Sequence, residues 1–218
     1  MLFRSEKTKI YFVDKKAAAQ SEVRMGFMSM PYDATGEFYK SQVMNYIFAE
    51  AFNSRINLQL REVRGFTYGT RGYFTGNIFP GTYEISGGIK ANATDTAILD
   101  YLDQMKNYIE KGITDEELRF TQNAMGQNEA LKYEAPYQKA GFLKRILDYN
   151  LPVDYTRQQS EILRSMTKDE INSLAKKHLA IDKMNILIVG DKARLIERIK
   201  KLGYEVTELD TNGNPITN

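Results

Sequence analysis

Two residues, Arg61 and Tyr68, are spaced so that the end of a helix and the start of a strand could bring a guanidinium and a phenol to one place. They lie in residues 53–69, NSRINLQLREVRGFTYG, where a helix ends in Arg61-Glu62, Gly65 turns the chain, and Tyr68 follows. A guanidinium is a forked cationic donor and a phenol a neutral hydroxyl donor. Together they suit peptide carbonyl oxygens or a developing oxyanion. Spacing alone favours a plainer arrangement, with Arg61 paired to a nearby carboxylate and Tyr68 packed in a sheet.

The rest of the reactive inventory is sparse. The 218 residues include one histidine and no cysteine, which removes disulfides, thiol nucleophiles and thiolate metal sites together. A Ser-His-Asp triad would need His178 as its base, and no G-x-S-x-G turn accompanies it. Nor can this chain alone supply the several His or Cys ligands of an ordinary zinc site. His178 falls in the last turn of a helix expected near 169–179, where an imidazolium favours the helix dipole, and reads as structural. Gly87-Gly88 lies inside a strand, so it cradles no phosphate. The acidic pair Glu116-Glu117 is what a first helical turn favours.

Thirty Lys and Arg against 28 Asp and Glu leave a net charge of +2 with the signs interspersed. So weak a field argues against nucleic acid or an anionic membrane as partner. The 14 tyrosines are scattered and read as core and sheet packing rather than base stacking. The opening MLFRSEKTK has no apolar stretch and is no secretory signal, and no run approaches the ~20 residues of a membrane span. A soluble globular protein is expected, with bacterial periplasm and cytoplasm both open as its compartment.

The elements that must position Arg61 and Tyr68 follow from hydrophobic periodicity. Residues 9–13 and 22–30 read as strands, the second ended by Pro31. Gly36 opens a helix on which Met44, Ile47, Phe48 and Ala51 share a face, and Ser54 caps a second helix reaching Glu62. Residues 66–75 and 80–90 read as a hairpin with a longer loop. A helical block follows, with Ile98, Leu102, Met105 and Ile109 at helical spacing. Capping boxes stand at Thr114–Glu117 and Thr167–Glu170, and Pro136 and Pro152 mark boundaries. Strand 184–189, a short helix over 193–201 and strand 204–209 close the chain. Strands bracketing helices predict one α+β domain over 1–218, a two-layer sandwich whose mostly antiparallel sheet is covered on one face. Residues 1–8 are expected as a disordered or appended start and 211–218 as a tail.

The string FNSRINLQLREVRGFTYG at 52–69, with GITDEEL at 112–118 and the closing MNILIVGD and KKLGYEVTELDTNGNP, resembles the C-terminal half-domain of the pitrilysin/insulinase-type zinc metallopeptidases. That family includes the mitochondrial processing peptidases. VDKKAAAQSEVRMG at 13–26 also looks like the first hairpin of that half, so the resemblance runs from about Lys9 to Pro215. In the family two similar halves close like a clamshell around an extended peptide, and the N-terminal half carries H-x-x-E-H with a downstream Glu as zinc ligands. The corresponding helix here, residues 39–52, has Glu50 as its one acid and no histidine. The resemblance is therefore to the non-catalytic, metallopeptidase-like half.

By position the resemblance implies that Arg61 and Tyr68 are substrate-binding residues. They would reach across the chamber to peptide carbonyls near the scissile bond and stabilise the tetrahedral intermediate, while zinc in the other half activates water. Ser54 and Arg55 match too, but a cap and a salt bridge account for them. The implied partners are a zinc-bearing N-terminal half or subunit and a peptide bound as an added β-strand. This chain would hold no catalytic residue, metal or cofactor of its own and be inactive alone. A sizeable apolar face would be bare in isolation and could support a homodimer. The alternative is a non-enzymatic scaffold or assembly subunit of the same fold.

Overall fold

The computed structural model describes residues 5–131 and 135–216. Strands β1 (Lys9–Asp14) and β2 (Gln20–Met28) alternate in burial, placing Ile10, Phe12, Val23, Met25 and Phe27 in the core. Helix α1 (Glu37–Asn45) runs on as a wider π-helical stretch, Tyr46–Glu50. All four residues of its expected apolar face are buried. The Ser54 side chain accepts from Asn57 N and caps α2 (Arg55–Asn57), which widens into a second π-helical stretch, Leu58–Val63. Then come β3 (Thr70–Phe74) and β4 (Thr82–Lys90), the expected hairpin with shorter strands.

Helix α3 (Thr94–Lys111) buries Ile98, Leu102 and Met105 and stops at Gly112, whose φ of 72° few other residues adopt. Helices α4 (Asp115–Leu131), α5 (Pro136–Tyr149), α6 (Tyr155–Ser165) and α7 (Lys168–His178) complete the block. Both capping boxes form: Thr114 and Glu117 exchange bonds of 2.8 and 3.2 Å, Thr167 and Glu170 of 3.0 and 3.3 Å. Strand β5 (Asn185–Gly190), α8 (Lys192–Lys200) and β6 (Glu205–Leu209) follow.

The six strands form one mixed sheet in the order β3-β4-β2-β5-β1-β6, with three of its five ladders antiparallel. The fold is thus α+β, but its start is no hairpin. β5 inserts between β1 and β2, parallel to the first and antiparallel to the second. A five-residue link can close a paired hairpin or step over one intervening strand about 5 Å further on, and the local sequence is the same in both cases. The helices cover one face, where sheet residues Tyr83, Ile85, Ile186 and Ile188 meet Val43, Met44, Phe48 and Met105. Each large side chain so buried contributes roughly 1.5–3 kcal/mol.

Of the start expected at 1–8, residues 1–4 lie outside the described residues. Thr8 is buried, donating to Ile181 O at 2.9 Å and accepting from Met184 N at 3.1 Å. Of the tail, 217 and 218 lie outside them too. The Asp210 carboxylate gathers the N–H groups of Asn212 and Asn214, and Ile216 N returns to Glu208 O at 2.9 Å. No described helix is long and apolar enough to cross a membrane.

Candidate functional site

The segment that carries Arg61 and Tyr68 is shaped by backbone bonds of unusual reach. Arg64 N donates to Gln59 O at 3.0 Å, a five-residue step that widens the helix beneath Arg61. Such π-helical turns recur at functional sites. Gly65 then adopts φ 62°, and Gly65 N and Phe66 N return to Arg61 O and Leu60 O at 3.1 and 2.8 Å, closing the helix with a left-handed glycine. No neighbour lies within 4 Å of where a Gly65 Cβ would stand, so the dihedral alone calls for glycine.

The chain beyond Gly65 is no strand until Thr70, because its polar groups are spent on a turn. Thr67 Oγ1 bonds Gly88 O at 2.8 Å and accepts from Gly69 N at 3.0 Å, and Lys90 N donates to Phe66 O at 2.9 Å. Tyr68 sits on this pinned turn, 90% exposed, and its hydroxyl bonds no described residue. It is not packed in the sheet.

Arg61 is held quite differently. Its Nε donates to Glu62 Oε1 at 2.8 Å, and its guanidinium carbon lies 3.6 Å from the centre of the Phe52 ring. The side chain is only 14% exposed, and Nη1 is enclosed with no hydrogen-bond partner. A buried donor left unpaired costs about 1–3 kcal/mol. Nη2 is the one guanidinium nitrogen neither bonded nor enclosed. The structure thus places Arg61 on the π-helical stretch before Gly65 and Tyr68 on the turn after it, with no hydrogen bond or cation–π contact between them. Sequence reasoning gave Phe52 no role at the site, since it stands nine residues before Arg61, and expected a carboxylate for Arg61 without naming Glu62. The carboxylate next door to Arg61 was the available signal.

Neighbouring cations are structural. Arg55 bonds both oxygens of Glu117 at 2.5 Å and Gly112 O at 2.8 Å, and lies over the Tyr108 ring. Burial pushes the Glu117 carboxyl up, but hydrogen bonds from Arg55 and Thr114 outweigh it and hold the group below its usual range. Arg64 grips both oxygens of Asp100 at 2.9 and 3.0 Å. Asn57 Oδ1 accepts from Thr70 N at 2.8 Å and Asn45 Nδ2 donates to Gly72 O at 2.7 Å, so side chains occupy two groups on the outer edge of β3.

His178 ends α7, mostly buried, with Nε2 3.4 Å from Glu37. Burial lowers its pKa against the pull of Glu37, favouring neutral imidazole over the dipole-stabilised imidazolium expected. Zinc does not fit this donor set. Between residues 37 and 50 the acids are Glu37 and Glu50, without a histidine. Among the described residues no group of three His, Cys, Asp or Glu converges. A cavity of about 410 Å³ between α1, α4 and α6 is lined by Tyr32, Tyr39, Gln42 and Gln159, and neither Arg61 nor Tyr68 faces it. We place the candidate site at the Gly65 turn, where the donors are, rather than in that cavity.

Comparisons with known proteins bear on the fold and the family. The non-peptidase homolog YmxG of Helicobacter pylori is 24% identical over 181 residues, covering 82% of this chain and 41% of that protein. A peptidase M16 inactive domain from Pseudomonas fluorescens superposes with a TM-score of 0.78 at 22% identity, over 86% of this chain and 44% of that one. An inactive peptidase domain from Bordetella parapertussis gives 0.66 at 15% identity, over 80% and 94% respectively. The chain therefore spans about two fifths of YmxG and of the Pseudomonas protein, and nearly all of the Bordetella domain. Residues 3–125 match the family model described as the peptidase M16 inactive domain, and it is to this family, the non-catalytic kind of half, that the chain belongs.

Proposed function

We propose that this chain is the substrate-binding half of a zinc-dependent peptidase, completing a peptide chamber for a companion half that carries the metal. Arg61 and Tyr68 are the groups assigned to the peptide. The observation that supports the reading most is the display of Tyr68, an almost fully exposed phenol with an unbonded hydroxyl on a turn pinned at both ends. A tyrosine with no packing or hydrogen-bonding task is placed for something outside the chain. Across the same turn, Arg61 keeps Nη2 open as a second donor. The two donors would take carbonyl oxygens of an extended peptide, and bond cleavage would belong to the companion and its zinc.

The test is reconstitution with a half bearing H-x-x-E-H, followed by cleavage of a quenched peptide. Arg61→Ala and Tyr68→Phe are each expected to lower kcat/KM on the order of 10²-fold, the usual loss when an oxyanion-type donor is removed. Unchanged rates in both variants would overturn the assignment. A second reading is favoured by the name of one relative, a non-peptidase homolog: a scaffold subunit that kept the fold without the proteolytic task. In that case the reconstituted pair forms a stable complex that leaves the peptide intact.

A further inference from the structure

Phe52 is an odd residue to leave in water. It lies in the turn between the first π-helical stretch and the Ser54 cap, and its side chain is 72% exposed. Burial in the core does not account for a phenylalanine there. What it touches is Arg61, whose guanidinium covers the ring at 3.6 Å, well inside the ~6 Å reach of a cation–π contact. Glu62 fixes the same guanidinium through Nε. Ring and carboxylate together settle its plane and its rotation, even though Nη1 is thereby enclosed without a partner. Nη2 is left as the one guanidinium nitrogen neither bonded nor enclosed.

We infer that Phe52 is a positioning residue for Arg61: its ring fixes the guanidinium so that Nη2 meets a peptide carbonyl without first giving up side-chain freedom. The inference rests on the peptide-binding role proposed for Arg61, and its test separates the two. A short, uncharged, fluorescein-labelled peptide is titrated against the chain by anisotropy. The proteins are wild type, Phe52→Leu, Phe52→Tyr, Arg61→Ala and the Phe52→Leu/Arg61→Ala double variant. Phe52→Leu is expected to weaken binding about five-fold, the scale of ordering one flexible side chain. Phe52→Tyr keeps the ring and restores wild-type affinity. In the Arg61→Ala background, Phe52→Leu has no further effect.

In the peptide-free protein, the Arg61 Nε–Hε resonance should show a ring-current shift. Phe52→Leu abolishes that shift and Phe52→Tyr keeps it. If Arg61→Ala binds as well as wild type, the peptide-binding reading fails and this inference falls with it. If Arg61→Ala is weak while Phe52→Leu matches wild type or binds more tightly, the inference alone is overturned. A loss on Phe52→Leu that persists without Arg61 also overturns it, as does the absence of the ring-current shift in the wild type.

Discussion

Arg55 and Arg61 stand six residues apart on one helical segment and have opposite surroundings. Arg55 spends its guanidinium on both Glu117 oxygens and a backbone carbonyl, and removing one partner of so enclosed a pair strands the other. Arg55→Ala should cost on the order of 2 kcal/mol and lower Tm by about 4–8 °C in a thermal melt. Arg61→Ala should shift Tm far less, because its carboxylate partner Glu62 is largely solvated. Acid should expose two further groups. His178 has a folded pKa below its ordinary 6.5, so the stability it allows is present above that pH and is lost as pH falls below it. Glu117 has a folded pKa below its ordinary 4.5, so its contribution is present above 4.5 and is lost as pH falls through the lowered value. Urea midpoints measured against pH should fall in that order, and His178→Gln, which cannot titrate, should flatten the first decline. At this scale the motif string proposes Arg61 and Tyr68, and the nearby carboxylate expected for Arg61 is Glu62. Spacing misplaced Tyr68 in the sheet, because the bond from Thr67 to Gly88 that starts the strand late joins residues 21 apart.

Among the elements, most of the helices were legible because periodicity, proline and capping boxes are local signals. The π-helical stretches were not: their register depends on tertiary bonds, such as Tyr108 OH donating to Met44 O at 2.9 Å and Tyr83 OH to Asn45 Oδ1 at 2.9 Å. The insertion of β5 was equally hidden, since strand neighbours far apart in sequence leave no mark on the link between β1 and β2. Two glycines test how the site-bearing element is held. At Gly65 only the positive φ matters, so Gly65→Ala should cost about 1–2 kcal/mol while leaving room for the new methyl. At Gly72 a Cβ would sit 2.8 Å from that of Ala49 and 3.1 Å from the Tyr83 hydroxyl. Gly72→Ala should therefore push the first π-helical stretch off β3, costing about 1–3 kcal/mol, and Ala49→Gly should recover part of the loss. Equilibrium urea unfolding of the single and double variants measures both effects. The first result separates backbone strain from crowding; the second shows how closely the first π-helical stretch is held against β3.

The whole molecule leaves one face of its sheet without a helical layer among the described residues. Ladder registers place Leu187, Tyr11 and Thr207 in one row across β5, β1 and β6, and Val189, Val13 and Leu209 in the next, all half-buried. Beyond them Arg24 and Glu84 pair at 3.1 Å, giving an apolar patch with a charged border. A patch of this kind marks an interaction surface more often than a solvated one. Since the chain spans 41% of YmxG and 44% of the Pseudomonas protein, the proposed companion is the natural cover. Leu187→Lys puts a charge inside the patch, one strand in from Arg24, where the long side chain reaches water in the isolated chain but is trapped under a companion. The variant should melt within about 1 °C of wild type, as surface substitutions do. It should weaken association with an H-x-x-E-H half at least ten-fold in sedimentation or titration, and abolish any self-association of the isolated chain. Association as tight as wild type would mean that the companion docks elsewhere and that the bare face has another use. A collapse in Tm would mean instead that Leu187 belongs to the core of this chain, against the alternation of burial along β5.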